Sequence, residues 1–174
     1  MNNSNIISKD TAFKFYKLAR YIGCLFSNEP DPNLGLGCVI ISENNYTILS
    51  TGVFTKVYED QNKRINSCDK KILLYTISSV EDAITKCVKL GGVSLNESII
   101  IVSHFPCIYS LKLLIQSGIT TLITIPNKRI YQNDDLHCLN TLLESINVIL
   151  LDPLLCKNEG LEYNPILYRT SRIE

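Results

Sequence analysis

No charge of one sign dominates this chain. Its 17 Lys plus Arg balance 17 Asp plus Glu, so no global field draws it toward nucleic acid or an anionic membrane. No apolar run approaches the roughly 20 residues that a bilayer-spanning helix needs. Cysteine occurs seven times but never as C-x-x-C, and residues 1–5 lack the basic and apolar regions of a secretory signal. Free thiols in a reducing, intracellular and cytoplasmic setting are therefore expected. The two histidines, His104 and His137, have no context suggesting a Ser-His-Asp arrangement. No internal repeat is visible.

What is present is enough apolar material for one core: 174 residues, 45% of them hydrophobic, make one substantial domain rather than two. Apolar runs alternate with helical patterns, as in an α/β domain. Asp10-Thr11 can cap a helix in which Phe13, Tyr16, Leu18, Ile22 and Leu25 recur at near-helical spacing. Cys38-Val39-Ile40-Ile41, a turn at Glu43-Asn44-Asn45, and Thr47-Ile48-Leu49-Ser50-Thr51 predict a hairpin. Leu73-Leu74-Tyr75-Thr76-Ile77 reads as a short strand or the run-in to a helix over 79–90, which stops at Gly91-Gly92. Ser98-Ile99-Ile100-Ile101-Val102 suits a strand buried on both faces, and Pro106 stands where the next helix can begin. Thr121-Leu122-Ile123-Thr124-Ile125, a helix over about 134–146, and Val148-Ile149-Leu150-Leu151 complete the alternation, which favours parallel pairing of the later strands between helical layers. The expected organisation is a flexible terminus over 1–9, one domain over 10–152 with an inserted loop at 55–72, and a tail over 153–174 that could dock on its own domain or on another subunit.

Several residues carry possible chemistry. Ser78-Ser79-Val80-Glu81 fits S-x-x-E, in which Ser78 caps a helix and Glu81 reaches back to the cap amide. Cys107 falls at a helix start, where the dipole favours thiolate, although a free Cys is also a common core filler. His104 and Cys107 have H-x-x-C spacing, and Cys68, Cys87, His137 and Cys138 could approach them in space. Zinc takes four ligands, or three plus water, and these residues form no recognised set. Ser110 reads as a first-turn helix residue. Asn127-Lys128-Arg129 reads as a solvated turn or a phosphate contact, and the polar segment 56–71 as an exposed loop, a lid or a contact surface.

These segments, in this order, resemble the cytidine and deoxycytidylate (dCMP) deaminase family. Phe105-Pro106-Cys107 leading to Leu114-Ile115-Gln116-Ser117-Gly118-Ile119 is similar to the family's F-P-C-x-x-C and L-I-I-Q-x-G-I run. Ser27-Asn28-Glu29-Pro30 and Leu36-Gly37-Cys38-Val39-Ile40-Ile41 look like its S-K-D-P-N and V-G-A-x-I-V stretches. The resemblance covers roughly residues 10 to 152. It implies a three-layer α-β-α fold around a five-stranded mixed sheet, and hydrolytic, zinc-dependent conversion of dCMP to dUMP in an oligomer regulated by dCTP and dTTP. In zinc deaminases a His and two Cys hold the metal and a Glu moves protons.

The residues at those places differ in kind. Aligning Ser78-Ser79-Val80-Glu81-Asp82-Ala83-Ile84 on the family's H-A-E-x-x-A-I puts Ser78 at the ligand His and Val80 at the catalytic Glu. A one-residue slip would bring Glu81 to the Glu place and Ser79 to the His place. Cys107 takes the first ligand Cys and Ser110 the second. Phe54 stands where the family has the Asn of G-Y-N, which faces the nucleotide sugar, and cannot supply its amide hydrogen bonds. Phe54 and Pro106 would be vestiges of a nucleotide pocket. The expectation is a catalytically inactive dCMP-deaminase-like protein with a binding, regulatory or assembly role, holding no cofactor. It would pair with itself or with another protein, such as an active deaminase, and could bind a nucleotide. Neither a membrane nor nucleic acid is an expected partner. The non-catalytic subunit of the eukaryotic tRNA adenosine deaminase is a precedent, with Val for the catalytic Glu, though it keeps its zinc ligands. Two alternatives stand beside this: an active deaminase with an unusual zinc site around Cys107 and His104, and a non-catalytic nucleotide sensor.

Overall fold

Of the 174 residues, the computed structural model describes 7–27, 35–56, 76–126 and 133–152. The elements are α1 (Lys9–Phe26), β1 (Gly37–Ser42), β2 (Ile48–Val53), β3 (Thr55–Lys56), β4 (Thr76–Ile77), α2 (Ser79–Lys89), β5 (Ser98–Val102), α3 (Ile108–Gln116), β6 (Thr121–Thr124), α4 (Asn133–Leu143) and β7 (Asn147–Leu150). Five strands form one sheet in the order β2-β1-β5-β6-β7, and β3 pairs with β4 apart from it.

The sheet is mixed. β1 runs antiparallel to both β2 (Cys38↔Gly52) and β5 (Ile40↔Ile100), while β5, β6 and β7 are parallel, with Ile100↔Leu122 and Leu122↔Val148 in register. Alternate side chains take opposite faces of a strand, which divides the core in two. Cys38, Ile40, Ile100, Val102 and Leu122 pack with Val80, Ala83, Leu111, Leu114 and Leu139 from α2, α3 and α4. Val39, Ile41, Ile99, Ile101 and Ile123 pack with Ala12, Tyr16 and Ala19 of α1. The unbroken apolar run of β5 follows from this, since every one of its residues is buried. Each fully buried Ile or Leu contributes about 1.5–3 kcal/mol.

Helix α2 lies directly on the hairpin. A Cβ on Gly52 would come within 1.9 Å of the Ser79 carbonyl oxygen and 2.6 Å of the Ala83 nitrogen. Around that contact, Ser50 Oγ donates to Ala83 O at 2.8 Å, and Asp82 Oδ2 accepts from Val53 N at 2.9 Å. The helix stops where Gly91 and Gly92 take φ of 103° and 74°, the left-handed region that glycine enters without steric cost.

Some boundaries differ from the sequence reading. The cap of α1 is Ser8, whose side chain accepts from Thr11 N; Asp10 is instead inside the first turn, where its charge suits the helix dipole. Pro106 precedes the α3 cap, Cys107, rather than opening the helix. Of the segment 73–77, Thr76–Ile77 is a strand, and residues 73–75 lie outside the described residues. So do 1–6, the basic group at 127–129, the tail over 153–174 and most of the loop placed at 55–72; of that loop, Thr55 and Lys56 pair with Ile77 and Thr76.

Candidate functional site

The chain enters α2 from β4 and α3 from β5. Both starts face the same end of the sheet, so Ser78 and Cys107, the caps of α2 and α3, are neighbours in space. At α2 the capping box is complete: Ser78 Oγ accepts from Glu81 N at 3.2 Å, and Glu81 Oε2 accepts from Ser78 N at 2.7 Å. The carboxylate of Glu81 is thereby committed to its own helix. Val80, two residues after the cap, is 1% exposed and belongs to the apolar core.

At α3, Cys107 makes no side-chain cap hydrogen bond. Its Sγ lies 3.4 Å from Ser110 Oγ, and Ser110 Oγ donates to Ser78 Oγ at 3.1 Å. Ser110 is 2% exposed, so it is more than the ordinary first-turn residue read from the sequence. Ser78, Ser110 and Cys107 form one contiguous hydroxyl, hydroxyl and thiol cluster joining the two helix starts. A bond between residues 32 positions apart leaves no mark in local spacing.

His104 does not join this cluster among the contacts seen. Its Nδ1 lies 3.2 Å from Ser103 Oγ. Burial, reinforced by the Arg20 guanidinium, pushes the imidazole down to about 4 from its ordinary 6.5, leaving it neutral at pH 7. Ser103 itself is a buried hub that sequence reasoning missed. Its Oγ donates to Gly35 O at 2.8 Å and accepts from Gly37 N at 3.0 Å, while Tyr16 OH donates to Ser103 O at 3.1 Å. This hub fixes the loop leading into Cys107 against α1 and the start of β1. Phe54 and Pro106 are both buried, and Phe54 N donates to Leu36 O at 2.9 Å.

Whether the cluster suits a zinc ion is a matter of donors. Zinc sites in proteins are built from Cys thiolate, His nitrogen and carboxylate, whereas here one thiol is joined by two neutral hydroxyls. Among the described residues, no group of three or more His, Cys, Asp or Glu is placed to hold a metal ion. Cys87 is a buried residue of α2, and burial pushes its thiol upward. His137 is exposed and Cys138 half-buried on α4, and Cys68 lies outside the described residues. One thiol and two hydroxyls do not fit the zinc that the fold class implies.

An α1 layer, a mixed five-stranded sheet and an α2–α4 layer, with two helix starts meeting at one end, define a cytidine-deaminase-like α/β protein. Residues 11–125 match the family of the cytidine and deoxycytidylate deaminase zinc-binding region, and the chain belongs to that family. Among solved structures it is similar to the dCMP deaminase of cyanophage S-TIM5. The form in complex with dCMP and dUMP superposes at a TM-score of 0.60 with 17% identity, covering 83% of this chain and 99% of that one. The apo form gives 0.57 and 18%, covering 83% and 100%. It is also similar to a diaminohydroxyphosphoribosylaminopyrimidine deaminase/5-amino-6-(5-phosphoribosylamino)uracil reductase of Thermotoga maritima, at a TM-score of 0.57 and 19% identity, covering 84% of this chain and 38% of that one. At such identities the likeness establishes the fold. No curated protein matches the sequence significantly.

Proposed function

We propose that this chain is a non-catalytic member of the deaminase family, retained for a binding, regulatory or assembly role. The observation that carries the reading is the set of residues where the family's chemistry would sit. Ser110 bridges Cys107 and Ser78 by side-chain contacts, and Val80 fills the core at the proposed proton-shuttling position. Hydrolytic deamination needs a nucleophilic hydroxide, which bound zinc supplies near neutral pH by lowering the pKa of water. It also needs a group that moves protons, worth about two to four powers of ten in rate. A valine side chain has no proton to move, and the neighbouring Glu81 carboxylate is held by the capping box. His104, with its pKa near 4, is a poor base at pH 7 and is engaged with Ser103.

An assembly role is supported by apolar side chains left exposed at the ends of two helices: Tyr21, Leu25 and Phe26 on α1, and Val88 and Leu90 at the end of α2. Such surfaces suit pairing with a second copy or with another protein, an active deaminase included. The test is zinc content together with ammonia release from dCMP on the full chain. One zinc per chain with turnover would replace this reading by that of an active deaminase with an unusual site. Saturable dCMP, dCTP or dTTP binding without turnover would make the retained role that of a nucleotide sensor.

A further inference from the structure

We infer that the outer face of α1 is a self-pairing surface: two copies of this chain meet along it antiparallel, about a two-fold axis that crosses the helix between Ala19 and Arg20. The inference rests on the assembly role proposed above and commits that role to one partner, a second copy of the same chain.

Among the described residues, α1 is the only helix in the core on its side of the sheet. It buries Ala12, Tyr16, Ala19 and Gly23, which turns Lys14, Leu18, Tyr21 and Leu25 toward the opposite side. These four recur at i, i+4, i+7 and i+11, one stripe of a 3.6-residue helix and the spacing of a helix-pairing seam. Tyr21 is 62% exposed and Leu25 54%, while Leu18 is half-buried. A contiguous apolar surface of this kind marks an interaction site more than a solvated face does. The stripe is also its own complement. In a two-fold interface, every contact of residue i with residue j is matched by one of j with i. Laid antiparallel, the stripe sets Leu18 on Tyr21 of the second copy and Tyr21 on its Leu18, and Lys14 falls beside its Leu25. Both pairs are centred on the same point between residues 19 and 20, a symmetry that an unrelated partner would not require.

Charge decides the direction. The last turn of α1 carries no basic residue, so the negative end of its dipole lacks a cation of its own. Lys14, in the first half of the helix, is 71% exposed in a pair with Asp10, and such a surface pair holds it weakly. Lys17 is drawn to the side, with its Nζ 4.6 Å from the centre of the Phe13 ring. Antiparallel pairing brings the Lys14 ammonium of each copy to the last turn of the other, with its aliphatic stem laid over Leu25. Parallel pairing would set Lys14 against Lys14 and leave both last turns bare.

The test is sedimentation equilibrium on the full chain over a range of concentrations, for wild type, L25K, L25E and K14E/L25K, with folding followed by circular dichroism and zinc and dCMP turnover measured on the same wild-type sample. Wild type should reach twice the mass of one chain as concentration rises. L25K sets a lysine against Lys14 at two symmetry-related places, which should cost about tenfold at each and raise the dissociation constant about a hundredfold. L25E meets Lys14 instead, so it should weaken the dimer less than L25K, and K14E/L25K should recover much of what L25K loses. A wild type that stays monomeric throughout would overturn the self-pairing, and so would an L25K dimer as tight as wild type. Equal losses in L25K and L25E, with no recovery in K14E/L25K, would overturn the antiparallel arrangement. Should L25K not fold, Tyr21→Ala on the exposed stripe must weaken the dimer by about tenfold or more, and an unweakened dimer would overturn the inference. Mass and zinc are independent readouts: a zinc-free monomer sinks the self-pairing alone, whereas one zinc per chain with turnover of dCMP sinks the non-catalytic reading alone.

Discussion

On the proposed alignment Val80 stands at the family's proton-moving Glu, and the account predicts that replacing it by Glu brings damage without recovery of activity. Val80 is 1% exposed, in a cluster with Cys38, Ala83, Ile100 and Leu111. Removing its buried methyl groups costs about 1.5–3 kcal/mol, and burying a neutral carboxyl without a partner adds about 1–3 kcal/mol. The sum, about 2.5–6 kcal/mol, is a large part of the roughly 5–15 kcal/mol that keeps a domain folded. The pH dependence follows from the same burial. Desolvation raises the carboxyl's pKa in the folded state above its unfolded value of about 4.3, so the folded form binds the proton more tightly. The penalty in V80E is therefore smallest below about pH 4.3 and grows by about 1.4 kcal/mol per pH unit until the folded pKa is passed. The chain contains no Trp, so urea unfolding is best followed by far-UV circular dichroism, comparing V80E with wild type at about pH 5 and about pH 7. A difference in stability that widens by about 2–3 kcal/mol between those pH values, with no ammonia released from dCMP, is the expected outcome. A V80E protein within about 0.5 kcal/mol of wild type at both pH values would mean that position 80 faces a solvated pocket, and would refute the reasoning.

Two further perturbations test the surroundings of the site. The folded pKa of His104 is lowered to about 4 from 6.5, so its stabilising contribution is present above pH 6.5 and is lost as pH falls through that window toward 4. H104Q should flatten the acid limb of the stability profile by about 3 kcal/mol, and an unchanged limb would show that His104 titrates normally. G52A places a Cβ 1.9 Å from the Ser79 carbonyl, so α2 must shift off the hairpin at a cost of about 2 kcal/mol or more; a wild-type urea midpoint in G52A would contradict that contact.

Much of the fold was legible because burial imposes a period. Ser98–Val102 was readable as a strand covered on both faces because all five residues are buried. The stop of α2 was readable from Gly91 and Gly92, whose positive φ values only glycine adopts freely. The capping box was readable because it is local, with both of its bonds spanning three residues. The start of α1 was misplaced because Ser8 and Asp10 are both good caps, and only the Thr11 N to Ser8 Oγ bond decides between them. A strand within 73–77 was one of two readings, but its pairing with β3 (Thr55–Lys56) was missed because two residues carry no alternation to detect. At the site, the resemblance brought the eye to Ser78, Cys107 and Ser110 one by one. The bond from Ser110 to Ser78 and the hub at Ser103 join residues 32 and 66 or more positions apart, and sequence spacing holds no record of such contacts.

The proposal that this deaminase-family chain is non-catalytic is tested most directly by elemental analysis of zinc on the purified, untagged full chain, run beside an ammonia-release assay with dCMP. The account predicts zinc far below one per chain and no release above the uncatalysed background. One zinc per chain with turnover of dCMP would contradict it.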